Sequence, residues 1–249
     1  MGVKFVARGL MLLAANLVAH PVFALDVAAA DPSVATSAAV SAAAGAGAER
    51  RAVRTPKHAT FENINPSTET RQHADWVVDS GDNAGSPFVI VDKIGSSVYV
   101  FDAQGRLRGA ASALLGLAQG DDSAPGIGTR ALSTLRSDER TTPAGRFVAT
   151  LELSLHGEEI LWVDYDAGIA LHRVSVAVPA ERRLQRLLSP KTQDRRITYG
   201  CINVPVKFFD SVVRPAFHGT AGIVYVLPET RSARELFGSY VVEQPGAVR

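Results

Sequence analysis

Cys201 is the one cysteine of the chain, and it sits in Arg196-Ile197-Thr198-Tyr199-Gly200-Cys201-Ile202-Asn203-Val204-Pro205. A thiol attacks carbonyls only as the thiolate. At a pKa of ~8.5 about 3% is ionised at neutral pH, and lowering the pKa to ~7 raises that share roughly 16-fold. Gly200 lets the backbone approach a ligand or take a φ closed to other residues. If the helix expected from residue 204 begins just after the thiol, its free N–H groups would favour thiolate and could hold an oxyanion. The other reading is a small apolar residue packed at a strand–helix junction. A nucleophile also needs a base. Of the six histidines, His20 lies in an apolar leader and His58 and His73 in a polar stretch, which leaves His156, His172 and His218. Spacing alone singles out none of these three.

Composition narrows the function around that thiol. With 26 Lys+Arg against 25 Asp+Glu the formal charge is +1, so no global field gathers nucleic acid and no nucleic-acid partner is expected. A single cysteine excludes an internal disulfide framework and any Cys-rich zinc or iron–sulfur site. No metal or other cofactor is expected, and the lack of a Gly-rich phosphate loop argues against a nucleotide enzyme. At the N-terminus, Lys4 and Arg8 precede an apolar run over residues 9–18, followed by Pro21 and Val22-Phe23-Ala24. A positive start, a short apolar core and a small-residue end form a secretory signal peptide over residues 1–24. The run falls short of the roughly 20 apolar residues that span a bilayer. The sequence therefore predicts a periplasmic or secreted protein with no membrane span once the signal is cleaved. Oxidising compartments favour paired thiols, so an unpaired one there is buried and inert, kept for its chemistry, or paired in an intermolecular disulfide.

The elements that must position these residues follow from patterning. Residues 25–85 are rich in Ala, Ser, Thr and Asn with Pro32, Pro56 and Pro66, and read as a linker or loosely ordered arm. Its second half, about 61–76, could add a strand or helix to the domain expected over 86–249. Phe88-Val89-Ile90-Val91 and Val98-Tyr99-Val100-Phe101 flank a Gly/Ser turn and predict a hairpin. Further strands are expected at 106–115, 146–155, 159–164, 169–174 and 222–227, with a long loop over 116–128. Pro179 and Pro190 bound a predicted helix whose Leu184, Leu187 and Leu188 share a face. A second helix over 204–213 would bury Phe208, Phe209, Val212 and Val213. Strands dominate and no βαβ rhythm appears, so the fold class is mainly β with a few short helices.

With these elements in place, Thr198-x-Gly200-Cys201-Ile202-Asn203 resembles the nucleophile motif of the L,D-transpeptidases, cysteine enzymes of bacterial peptidoglycan. That motif runs Ser or Thr, a variable residue that is often His, Gly-Cys, a hydrophobic residue, then Asn or Arg. His172, at the end of Ile169-Ala170-Leu171-His172-Arg173, is similar to the family's upstream strand-end histidine. Thr142-Pro143-Ala144-Gly145-Arg146-Phe147 is similar to its T-P-x-G-x-F segment, and the hairpin over 89–101 to its opening one. The resemblance covers residues 87–228. It implies a β-sandwich or barrel catalytic domain, with Cys201 as nucleophile and His172 as general base. The Arg173 carbonyl would orient the imidazole, amides around Tyr199, Gly200 and Cys201 would form the oxyanion hole, and Thr198 and Asn203 would shape the site. The implied partners are peptidoglycan stem peptides.

The chain departs from the family in three places. Tyr199 stands where His is frequent, and Arg173 where Gly or Ser is usual. The His172–Cys201 separation is 201 − 172 = 29 residues, lengthened by the inserted helix at 179–190, which would be a solvated helix or a substrate-side lid. The same residues serve an L,D-carboxypeptidase or muropeptide amidase that passes the thioester to water. A non-catalytic wall-binding domain with a vestigial site is the remaining reading.

Overall fold

Alternating burial explains the centre of the molecule. In this computed structural model, which describes residues 55–243, β1 (Phe88–Asp92) is buried along its whole length. Phe88 and Ile90 point into one apolar cluster, and Val89 and Val91 into another on the opposite face. A strand with two buried faces reads as an unbroken apolar run. Each such side chain withdrawn from water contributes about 1.5–3 kcal/mol.

β1 pairs antiparallel with β2 (Ser97–Phe101), which pairs with β3 (Leu107–Ser112). A two-residue β4 (Leu115–Gly116) follows. After a long loop come β5 (Gly145–Leu153), β6 (Glu159–Asp164) and β7 (Ile169–Arg173), then β8 (Arg196–Thr198), β9 (Ile202–Val204) and β10 (Gly222–Val226). The large sheet has the order β3-β2-β1-β10-β5-β6-β7-β9, and β4 and β8 form a small parallel pair beside it. The sheet curls toward closure: Leu114, just past β3, exchanges backbone hydrogen bonds of 2.8 and 2.9 Å with Asn203 on β9. The fold is mainly β and barrel-like, and its seam runs through the segment that carries the cysteine.

The helices are short. Before β1, α1 (Thr68–Ser80) is capped by Ser67, whose hydroxyl accepts from the Thr70 amide, and ends on Gly81 at φ 74°. Its Ala74, Trp76 and Val77 pack with Phe61 on the outer face of the sheet. Of the strand or helix that the second half of 25–85 could add, the structure has the helix: three apolar side chains meeting the sheet supply what the sparse local pattern lacks. The signal peptide expected over 1–24 and the expected arm up to residue 54 lie outside the described residues. Among the described residues no helix is long and apolar enough to cross a membrane.

The helix expected over 179–188 divides into a 3-10 turn, Pro179–Glu181, and α2 (Arg183–Leu188). Leu187 is buried against Leu114 and Val174, whereas Leu184 and Leu188 are 51% and 85% exposed, so the expected apolar face is a single anchor. After Pro205, α3 (Val206–Phe208), a π-helical turn (Phe209–Val213) and α4 (Arg214–Phe217) form one rod burying Phe208, Phe209, Val213 and Phe217 in the inner core. Near the end, α5 (Ala233–Phe237) carries a Ser232/Glu235 capping box.

Candidate active site

The parallel pairing of β7 with β9 puts His172 opposite Asn203, and Cys201 directly precedes β9. His172 donates from Nδ1 to the carbonyl of Arg173 at 2.8 Å. That bond makes Nε2 the acceptor of the neutral ring. Nε2 receives the Asn203 side-chain N–H at 3.0 Å, and Asn203 Oδ1 accepts from Arg183 Nη1 at 2.7 Å. One chain of bonds, Arg183 to Asn203 to His172 to Arg173, thus fixes both the amide orientation and the tautomer. Burial pushes the His172 pKa below its ordinary value; the Arg173 carbonyl opposes this, and the Arg183 charge adds to it. The ring is a neutral base at pH 7.

The Cys201 thiol is half-buried and faces the Gly168 carbonyl at 3.7 Å. Burial raises its pKa, only partly offset by a backbone hydrogen bond from Ala170 and by the Arg183 charge. The helix expected over 204–213 does not begin just after Cys201: β9 intervenes and α3 begins at Val206. Val204-Pro205 ends a strand, because Pro205 has no N–H for further pairing. Without a helix N-terminus beside it, the thiol rests protonated, and thiolate must be made by proton transfer to a base.

The loop under the thiol is held from several sides. Thr198 Oγ1 donates to the Cys201 carbonyl at 2.7 Å and accepts from the Gly200 amide at 3.1 Å. Gly200 has φ 135°, and a Cβ there would lie 2.6 Å from Ile169 Cδ1 and 2.7 Å from the Thr141 carbonyl. Both conditions require glycine. Thr142 Oγ1 donates to the Gly200 carbonyl at 2.8 Å and accepts from the Gly116 amide at 2.9 Å. The Tyr199 ring lies 4.2 Å from the Arg140 guanidinium, in cation–π contact.

A cavity of about 440 Å³ is lined by His172, Thr198, Tyr199, Cys201 and Asn203. Ile127, Leu132 and Leu135 of the long loop also line it, together with Arg183 of α2. The loop seats on the β6–β7 turn through Gly128, whose added Cβ would fall 2.1 Å from the Asp166 carbonyl. Gly200 is not one of the residues lining the cavity. The Arg173 side chain turns away from it to Asp210, at 2.5 Å, and to the Phe209 ring.

Two groups of supporting residues escape sequence reasoning. Arg183 is one; its neighbours suggest only a solvated basic helix. The other is a buried polar knot. Lys93, 1% exposed, donates to Asp121 at 2.7 Å and to the carbonyls of Gly120 and Thr142 at 2.6 and 3.1 Å. Asp121 also accepts from Thr230 Oγ1 and from the amides of Glu229, Thr230 and Arg231. Burial opposes the charge on Asp121, but these donors hold its carboxyl well below the usual range. Glu229 pairs in turn with Arg196. A lysine directly after an apolar strand was the only available signal, since a buried cation must be paired.

No family profile and no curated protein matches the chain in sequence. Among solved structures, the catalytic domain of the E. faecium L,D-transpeptidase matches at 16% identity and a TM-score of 0.35, over 57% of this chain and 98% of that one. An L,D-transpeptidase from Mycobacterium tuberculosis H37Rv matches at 15% and 0.35, over 57% of each chain. The helical cell shape determining protein Pgp2 from Campylobacter jejuni matches at 14% and 0.39, over 64% of this chain and 50% of that one. The last two matches span less than two thirds of those proteins.

Proposed function

We propose that this chain is an exported cysteine acyltransferase that acts on peptidoglycan stem peptides through a Cys201 thioester, with His172 as general base. The observation that carries the reading is one cavity lined by both the thiol and an imidazole whose Nδ1–H is fixed on a backbone carbonyl. A fixed tautomer with Nε2 as acceptor is what a thiol nucleophile needs of its base. The motifs around Thr198, Cys201 and Thr142 supply the substrate class by resemblance.

The chemistry runs in two acyl transfers. His172 Nε2 takes the thiol proton while sulfur bonds to the carbonyl carbon that joins the third residue to a terminal D-amino acid. The Gly200 amide is committed to Thr198, so the amides of Tyr199 and Cys201 serve the developing oxyanion. Collapse of the tetrahedral adduct breaks the C–N bond, and the imidazolium returns its proton to the leaving amine. An acceptor amine then resolves the thioester. Intact mass after addition of a tetrapeptide donor or a carbapenem tests this: an adduct confined to Cys201 is expected, and its absence rejects the reading.

One feature favours a second reading, that of a wall-binding domain with a dormant site: at rest Asn203 occupies the Nε2 that the thiol proton needs. That reading expects Cys201→Ala to leave both wall binding and the cellular phenotype unchanged.

A further inference from the structure

The hydrogen-bond chain through Asn203 leaves each of the two reacting groups with another partner. Its side-chain N–H occupies the His172 Nε2 lone pair at 3.0 Å, while the Cys201 sulfur faces the Gly168 carbonyl at 3.7 Å. Asn203 holds that pose because Arg183 donates to its Oδ1 at 2.7 Å. Arg183 is only 15% exposed and lines the cavity beside the thiol. Its guanidinium is anchored on one side by Glu181 at 2.5 Å and spends Nη1 on a neutral amide. A second arginine of the cavity, Arg130, is already closed on Glu139 by two bonds of 2.8 and 3.1 Å. An incoming carboxylate therefore meets Arg183 as the cation with a neutral partner to give up. A carboxylate brings a full negative charge and a two-oxygen fork to the guanidinium where the Asn203 amide brings only a dipole, so the carboxylate displaces Asn203.

The side of the cavity also matters. The base that protonates the leaving amine must face the leaving residue, and Arg183 is one amide away from that base. We propose that Arg183 reads the free carboxylate of the donor's leaving D-amino acid, and that this pairing draws the guanidinium off Asn203 and releases His172 to take the thiol proton. Arg183 is then a specificity residue through its contact with the substrate and a positioning residue for the base. The inserted helix, pinned by Leu187, is the element that delivers it. This inference rests on the acyl-transfer reading above.

The test uses the full chain as wild type, Arg183→Gln and Arg183→Lys, with two tetrapeptide donors that differ only in a terminal carboxylate or its amide. Intact mass follows Cys201 acylation over time, and thermal unfolding midpoints check that each variant is folded. Wild type should acylate from the acid about 10- to 100-fold faster than from the amide, the range of a hydrogen bond to a charged group. Arg183→Gln should bring that ratio to about one by slowing the acid donor, and Arg183→Lys should keep part of it. A merely structural role for Arg183 would slow both donors alike and preserve the ratio. A wild-type ratio retained in Arg183→Gln overturns the inference while leaving cysteine acyl transfer standing. No acylation from either donor in any variant, with Cys201 still alkylated by iodoacetamide, overturns the acyl-transfer reading itself and this inference with it.

Discussion

His73 on α1 and His172 on β7 are both withdrawn from water, yet their surroundings make them opposite kinds of residue. His73 is 2% exposed and nests among Trp76, Tyr225 and Phe237 at ring-centre distances of 5.0, 5.0 and 4.6 Å. Neither of its ring nitrogens has a hydrogen-bond partner, and burial drives its pKa down to about 3. His172 has a partner on each nitrogen, and those partners lead to a charged residue and a thiol-bearing cavity. The α1 face uses imidazole as a flat apolar disc. The β7–β9 edge uses it as an acceptor with a defined tautomer. What separates packing from chemistry here is whether the ring nitrogens are bonded, rather than depth of burial.

The sharpest way to break that contrast is to remove each reacting group. Cys201→Ala should abolish acylation by a tetrapeptide donor, and His172→Ala should slow it by about 10²–10⁴-fold, the span of general-base catalysis. His73→Phe should leave the rate as it is. Because the His172 pKa lies below the ordinary 6.5, its base form persists as pH falls through 6.5, and the His-dependent limb of the rate should break on the acid side of that value. A break at or above 6.5 would show that the imidazole is not buried as described.

Lys93→Met tests whether the polar edge depends on its knot. It leaves the Asp121 carboxylate in place without the ammonium at 2.7 Å. Breaking a buried pair from one side costs about 3–5 kcal/mol, to be read from urea unfolding. Acylation should fall as well, because the Thr142 carbonyl loses the Lys93 donor while its hydroxyl supports Gly200. A loss under 1 kcal/mol would mean that the backbone donors to Asp121 suffice.

The apolar face should show itself through acid. His73 titrates near 3 when folded and near 6.5 when unfolded, so between those values the unfolded chain binds the extra proton. Stability is therefore complete above 6.5 and drains as pH falls below it. At 1.36 kcal/mol per pKa unit, the loss from pH 7 to pH 4 is about 3 kcal/mol from this group. His73→Phe should flatten that part of the stability curve and keep the ring contacts. An unchanged acid slope in the variant would place the titration elsewhere.

How much of this was legible depended on whether the stabilising partner was local. The strands Phe88–Asp92, Ser97–Phe101 and Gly222–Val226 announce themselves as unbroken apolar runs, because both of their faces are buried. α1 did not, since its Thr-Glu-Thr-Arg start is polar and its few apolar residues find their partners on the sheet. β9 did not either: three residues before a proline carry too little pattern, and its pairing with β7 and Leu114 lies far off in sequence. In the site, the types and spacing of Thr198, Gly200, Cys201 and Asn203 were visible as a motif. Arg183 and Lys93 were not, because their partners lie 20 and 28 residues away and no spacing rule joins them.

The inserted helix gives the smallest and most local test of the same lesson. Leu187 and Leu188 are adjacent, equally apolar and indistinguishable by periodicity, yet one is 5% exposed and the other 85%. Leu187 fills the small cluster with Leu114 and Val174, and Leu114 is the residue whose backbone closes the sheet on Asn203. Truncating a buried leucine costs about 2–5 kcal/mol, with the low end where neighbours can collapse into the gap. A cluster of only three buried residues with the half-buried Ile197 packed on it is such a place, so Leu187→Ala should cost about 2 kcal/mol. Leu188→Ser should stay within about 0.5 kcal/mol, as exposed substitutions do. The contrast extends to the site: Leu187→Ala loosens the helix that carries Arg183 and should weaken the preference for a carboxylate-bearing donor, whereas Leu188→Ser should not. Equal effects from the two leucines would mean that α2 is not anchored where the Leu114–Val174 cluster puts it.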